Sequence, residues 1–149
     1  MRGIIHHLKY RRDLGLGEAL SNPLADFIQT QNWKIDSVVP IPLSNQRYKE
    51  RGYNQIALMA YPLSLILDLT YSSNALIRKR HTRSQVGLSA LERKQNVEGA
   101  FWANPRLTSG KSILLMDDVA TTGPTLAAAS KALVSSGASK IYALTLARA

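Results

Sequence analysis

The stretch from Ser112 to Leu126 reads S-I-L-L-M-D-D-V-A-T-T-G-P-T-L, and it constrains the fold more than any other part of the chain. Ile113, Leu114, Leu115 and Met116 follow one another without alternation, the pattern of a strand buried on both faces of a parallel sheet. Asp117 and Asp118 come next. A carboxylate is costly inside an apolar core, so the pair is expected where the strand emerges. Thr121, Thr122 and Gly123 then suit a turn, and residues 126–134, rich in Ala and Leu, suit a helix. Pro124 fits the first helical turn, where its missing N–H costs little. The order strand, acidic corner, small-residue turn, helix sets the class as α/β.

That geometry has a chemical use. Small residues at a helix N-terminus present free amide N–H groups and the positive end of the dipole, which favours a phosphate. The hydroxyls of Thr121, Thr122 and Thr125 add donors. Asp117 and Asp118 cannot hold a phosphate, but they can accept hydrogen bonds from vicinal hydroxyls or help hold Mg²⁺. A phosphate beside a diol points to a ribose 5-phosphate. Three other readings compete. A Walker B strand would need a P-loop, but Gly110-Lys111-Ser112 has Pro105 at the place of the first glycine and precedes the strand. A phospho-receiver domain carries paired Asp near its start, and too little chain follows here. The plain alternative is a solvated acidic corner.

Composition narrows the class. With 149 residues, 45% of them hydrophobic, one domain spanning 1–149 has enough chain for a core. No apolar run approaches membrane-spanning length and no signal peptide is visible, so a cytoplasmic protein without membrane insertion is expected. There is no cysteine, hence neither a disulfide framework nor a Cys-based zinc site. The net charge of +9 suits a polyanionic partner, whether nucleic acid, pyrophosphate or a sugar phosphate.

Along the chain, residues 3–10 and 14–31 read as helix, with Asn22-Pro23 expected to break or restart it. Leu16, Ala19, Leu20, Leu24, Phe27 and Ile28 are its expected buried face. His6 and His7 are adjacent on a helix and diverge by about 100°, a poor chelate. Residues 36–43 form the first strand, whose pairing should end at Pro40 and Pro42. Residues 44–55 read as a basic loop carrying Arg47, Lys49 and Arg51, within reach of a pyrophosphate. A helix over 56–67 contains Pro62, and 68–77 holds one or two short strands. The densest basic run, 78–85, includes Arg80 and Arg83, suited to phosphate or nucleic acid. Residues 98–102 are expected to return to the sheet, Gly137 to cap the last helix, and 141–146 to close the sheet.

Residues 117–125 resemble the phosphoribosyl-pyrophosphate (PRPP) binding motif of type I phosphoribosyltransferases. More narrowly, V-V-P-I-P-L at 38–43 and R-G-Y-N-Q at 51–55 are similar to the ComF family. So are Thr82, Gln85, Leu88, Arg93, Asn96, Val97, Ala100 and Phe101, the L-K-Y at 8–10 and the closing L-T-L-A-R. The resemblance covers nearly the whole chain. It implies a parallel, doubly wound sheet with the site at the C-terminal strand ends and a small hood, built from the N-terminal helix and residues 78–97.

The resemblance also implies PRPP or another ribose 5-phosphate as ligand, with Mg²⁺. Asp117 and Asp118 would take the ribose hydroxyls and, indirectly, the metal. Ala120, Thr121, Thr122, Gly123, Pro124 and Thr125 would take the 5-phosphate, and Pro124 removes one amide donor from that loop. Arg47, Lys49, Arg51, Arg80 and Arg83 are the pyrophosphate or nucleic-acid candidates. A phosphoribosyl transfer to an acceptor that the sequence does not name is one implied function. The other is a non-catalytic competence factor that binds single-stranded DNA and competence proteins on the same fold. The N-terminal zinc-binding segment of many ComF proteins has no counterpart in this chain, which begins about where that segment would end.

Overall fold

The computed structural model describes residues 14–79, 99–120 and 123–148. Helix α1 (Leu14–Thr30) leads to β1 (Ser37–Pro40), α2 (Asn45–Arg51), α3 (Ala57–Ile66) and β2 (Thr70–Tyr71). Strands β3 (Leu76–Arg78) and β4 (Phe101–Ala103), the short α4 (Pro105–Thr108), β5 (Ser112–Ala120), α5 (Pro124–Ser135) and β6 (Lys140–Arg148) complete the order. Four strands form a parallel sheet in the order β2-β1-β5-β6. The apolar run behaves as its pattern demands: Ile113, Leu114 and Leu115 are fully buried and Met116 nearly so, at the centre of the sheet. Burying each such side chain contributes about 1.5–3 kcal/mol.

The sheet separates two apolar clusters, and consecutive β5 residues alternate between them. Leu114 and Met116 pack with Ala25, Ile28, Met59, Ala60 and Leu63 from α1 and α3. Ile113 and Leu115 pack with Ala129 and Leu133 of α5 and with Leu76, Phe101 and Ala103 of the β3–β4 pair. Helices therefore cover both faces, the doubly wound arrangement expected from the motif.

Several local expectations need correction. Pro23 neither breaks nor restarts α1, which runs unbroken through it. Ala19 and Pro23 both face solvent, so water can take the carbonyl that the proline leaves without a donor. The expected buried face of α1 holds at Ile28, with Leu20 and Leu24 packed against the same cluster, but not throughout. Gly17, Ser21, Ala25 and Ile28 are buried, whereas Ala19 and Phe27 are exposed. The seam with α3 is too close for large side chains: a Cβ at Gly17 would stand 2.6 Å from the Leu58 carbonyl oxygen. Ser21 fits there because its hydroxyl donates to the Gly17 and Met59 carbonyls, at 2.9 and 3.1 Å.

Residues 45–51 are a helix and not a loop. Ser44 caps it by accepting from the Arg47 amide at 3.3 Å. Gln46 donates to Glu50 one turn later at 2.9 Å, and Gly52, with φ of 75°, closes the end. Finally, β4 does not rejoin the main sheet. It pairs antiparallel with β3, Trp102 opposite Ile77, as a separate two-stranded ribbon.

Candidate functional site

A cleft of about 310 Å³ opens at the C-terminal ends of β1 and β5. Its origin lies in the unequal lengths of these two paired strands. Their register ends with Pro40 opposite Met116, and Ile41 gives a last amide bond to the Met116 carbonyl at 2.9 Å. Pro42 has no N–H to continue the ladder, so the chain turns away into α2. Strand β5 continues to Ala120 with β6 alone beside it among the described residues, Asp117 opposite Thr145 and Val119 opposite Ala147. The space left by β1 becomes the cleft.

One wall is acidic. Asp117 and Asp118 are half-buried and line the cleft with Val119. Their carboxylates are oriented by backbone: Asp117 Oδ1 accepts from the Asp118 amide at 2.9 Å, and Asp118 Oδ1 accepts from the Val119 amide at 2.8 Å. A third bond comes from Gln55, whose Nε2 donates to Asp118 Oδ2 at 3.0 Å. Thr125 lines the floor from the first turn of α5, which starts at Pro124 after Gly123 in a left-handed conformation, φ 85°.

Basic residues line the same cleft. Arg47, Gln46 and Glu50 reach the cleft from α2, and Arg78 reaches it from β3. The Arg78 guanidinium lies over the Phe101 ring, 5.2 Å from its centroid. Burial pushes the Arg78 pKa down, the nearby Arg47 charge adds to that, and Asp117 opposes it. Two cations lining one cleft suit an anionic ligand there.

The R-G-Y-N-Q stretch links the walls. Gly52 ends α2. Asn54 donates to the Ile41 carbonyl at 2.9 Å and accepts from the Ile56 amide at 3.1 Å, which ties the connection to the end of β1 and to the start of α3. Arg51 Nη1 donates to Gln55 Oε1 at 3.0 Å, and Gln55 passes the contact on to Asp118.

Comparison with known proteins agrees with this geometry. No protein-family model matches the chain. It is 35% identical over 153 residues to "Competence protein F" of Haemophilus influenzae, covering 98% of this chain and 67% of that protein. The chain belongs to the ComF family. To "DNA utilization protein YhgH" of Escherichia coli K12 it is 35% identical over 150 residues, covering 97% of this chain and 66% of the relative. The chain thus spans about two thirds of the length of these relatives. Among solved structures, an adenine phosphoribosyltransferase superposes with a TM-score of 0.61 over 93% of this chain and 72% of its own, at 15% identity. A glutamine PRPP amidotransferase from B. subtilis gives 0.59 over 87% of this chain and 26% of its own, at 20% identity. The fold is that of the type I phosphoribosyltransferases.

Against this ComF-family fold, the residues expected from sequence fall into three groups. Asp117, Asp118, Thr125 and Arg47 come together in the cleft. Ala120, Gly123 and Pro124 lie on the β5–α5 corner beside it, Lys49 is exposed on α2, and Arg51 is directed at Gln55. Thr121, Thr122, Arg80 and Arg83 lie outside the described residues, as does most of the expected hood. The described part of α1, the other expected hood element, packs on α3 over the sheet and lends no residue to the cleft.

Sequence reasoning missed Gln46 and Glu50 as cleft residues, placed Arg78 only within the basic run and not on a strand, and placed Gln55 only within a motif. Arg78 is recoverable from sequence only if its strand is assigned, because alternation then turns it to the same side as Leu76. Among the described residues no group of three or more potential metal ligands exists, and no helix is long and apolar enough to cross a membrane.

Proposed function

We propose that the cleft binds PRPP, or a related ribose 5-phosphate, with Mg²⁺. The observation that carries this reading is the meeting of two kinds of charge in one cleft: the Asp117–Asp118 pair at the end of the central strand, and Arg47 with Arg78 lining the same space. Asp117 and Asp118 would accept the ribose 2- and 3-hydroxyls. The β5–α5 corner, 120–125, would receive the 5-phosphate at the start of α5, where N–H groups and the helix dipole favour it. Arg47 and Arg78 would hold the pyrophosphate by charge-assisted hydrogen bonds. The pyrophosphate-bearing ligand of the "PRPP amidotransferase" relative in fold supports the same choice.

The donor set suits Mg²⁺ of a particular kind. Two adjacent carboxylates, with no third acidic or His partner grouped with them among the described residues, cannot form an all-protein cage. They fit a cation held largely by ligand oxygens and water, with one or two carboxylates beside it. When bound, it would neutralise charge on the pyrophosphate. For a transfer reaction, the acidic wall would steady positive charge developing on the ribose while the basic wall holds the leaving pyrophosphate.

The test is calorimetric titration of PRPP–Mg²⁺ into the pure protein. Saturable one-site binding, lost when Asp117 and Asp118 are both changed to Asn, is expected. No heat and no competition by pyrophosphate would overturn the reading. A second reading, binding of single-stranded DNA, is supported by the names of the relatives, competence and DNA utilization, and by the net charge of +9. A parallel titration with a single-stranded oligonucleotide separates the two. Binding there that ignores the Asn changes and falls steeply with salt would place DNA elsewhere on the surface.

A further inference from the structure

We infer that Gln55 is a positioning residue for Asp118, and that its side-chain amide couples the basic helix α2 to the acidic wall. The inference rests on the proposed function and deepens it. Gln55 is 3% exposed, yet its side chain is polar at both ends. Its Oε1 accepts from Arg51 Nη1 at 3.0 Å, and its Nε2 donates to Asp118 Oδ2 at 3.0 Å. A relay between a guanidinium and a carboxylate needs an acceptor at one end and a donor at the other. A primary amide meets that requirement; a carboxylate cannot donate to Asp118, and an ammonium cannot accept from Arg51. An asparagine is one methylene shorter, too short to reach both partners from the same backbone.

The backbone around Gln55 is fixed independently. Asn54 binds the Ile41 carbonyl and the Ile56 amide, and Ile56 is fully buried. Gln55 therefore works from a rigid base. Together with the Val119 amide on Oδ1, it sets the plane of the Asp118 carboxylate and leaves its remaining lone pairs aimed by geometry and not by rotation. Orientation of this kind matters most for a ligand that must be met by directed hydrogen bonds, such as a sugar diol. It matters least for a diffuse anion such as pyrophosphate, which the arginines attract by charge.

The test uses Gln55→Met, which keeps length and loses both bonds, and Gln55→Glu, which sets a carboxylate against Asp118. Binding of PRPP–Mg²⁺ is expected to weaken about tenfold in Q55M, the scale of one hydrogen bond to a charged group, and further in Q55E. Binding of inorganic pyrophosphate to Q55M is expected to stay within about twofold of the parent, since it does not use the ribose acceptors. Equal weakening of both ligands, or Q55E binding PRPP as well as Q55M, would show that Gln55 merely fills space.

A ligand-free arm keeps the inference separate from the function. Amide exchange at Val119, whose N–H rests on Asp118 Oδ1, is expected to accelerate about tenfold in Q55M, while exchange at Leu114 and Leu115 stays unchanged. Unchanged exchange at Val119 would overturn the inference even if PRPP binds. Faster exchange at Val119 in a protein that binds no PRPP would uphold the brace and reject the function. If Q55M fails to fold, Arg51→Met provides the same exchange measurement from the outer end of the relay, with a smaller acceleration expected and none overturning the inference.

Discussion

The β1–α2 and β5–α5 corners are built on the same plan and carry opposite charge. Each is a parallel strand that ends at the same side of the sheet and is followed in the chain by a helix. In β1 the ladder stops early at Pro42, and a serine cap starts a short basic helix. In β5 the ladder continues past the end of β1 with β6 as its partner, and two carboxylates ride on the overhang. A difference of a few residues in where two adjacent strands stop is enough to produce a cleft with a cationic and an anionic side. The acidic residues stand on a nine-residue strand, whereas the basic ones stand on a seven-residue helix and a three-residue strand.

Removing the acidic side should have the largest effect. Asp117→Asn with Asp118→Asn is expected to weaken PRPP–Mg²⁺ binding about a hundredfold, two charge-assisted acceptors at about 1.5 kcal/mol each, with the melting temperature nearly unchanged. Calorimetry and a thermal scan on the same sample check both halves. On the basic side, Arg78→Ala is expected to cost about tenfold in pyrophosphate affinity, and Arg47→Ala less, because water screens the exposed Arg47. The reverse order would mean that the anion lies nearer α2 than β3.

The next two changes are smaller and act on the turns. Pro124→Ala restores an amide at the first turn of α5, and ribose 5-phosphate is expected to bind about fivefold tighter, a donor gained against some loss of preorganisation. Equal or weaker affinity at unchanged stability would show that this amide does not face the phosphate. Gly52→Ala tests the other corner. No atom lies within 4 Å of a Cβ there, so only the φ of 75° opposes it. A loss of about 1–2 kcal/mol in urea unfolding is expected, with phosphate binding unaffected.

Much of the acidic corner was legible because each feature is local. An unbroken apolar run, two carboxylates, a glycine and a proline at a helix start each state their own backbone requirement. The basic side was less so. Helix α2 lacks any buried residue, so it has no apolar periodicity to read; its signals were the capping serine and the closing glycine. Pro23 was misread because its cost depends on whether water reaches the orphaned carbonyl, a fact of exposure and not of spacing. Arg78 enters the cleft through the pairing of Leu76 with Ala103 and of Arg78 with Phe101, a register between segments more than twenty residues apart.

The separateness of the β3–β4 ribbon has a thermal consequence. Among the described residues its strands exchange backbone hydrogen bonds with each other and none with the four-stranded sheet, and it is seated by Leu76, Phe101 and Ala103 on the side chains of α5 and β5. Arg78 rides on that ribbon, whereas Asp117 and Asp118 ride on a hydrogen-bonded ladder. Apolar contacts lose strength on cooling. The ribbon's hold on the sheet rests on such contacts among the described residues, so chilling is expected to loosen Arg78 before the acidic pair, whose strand also has its ladder.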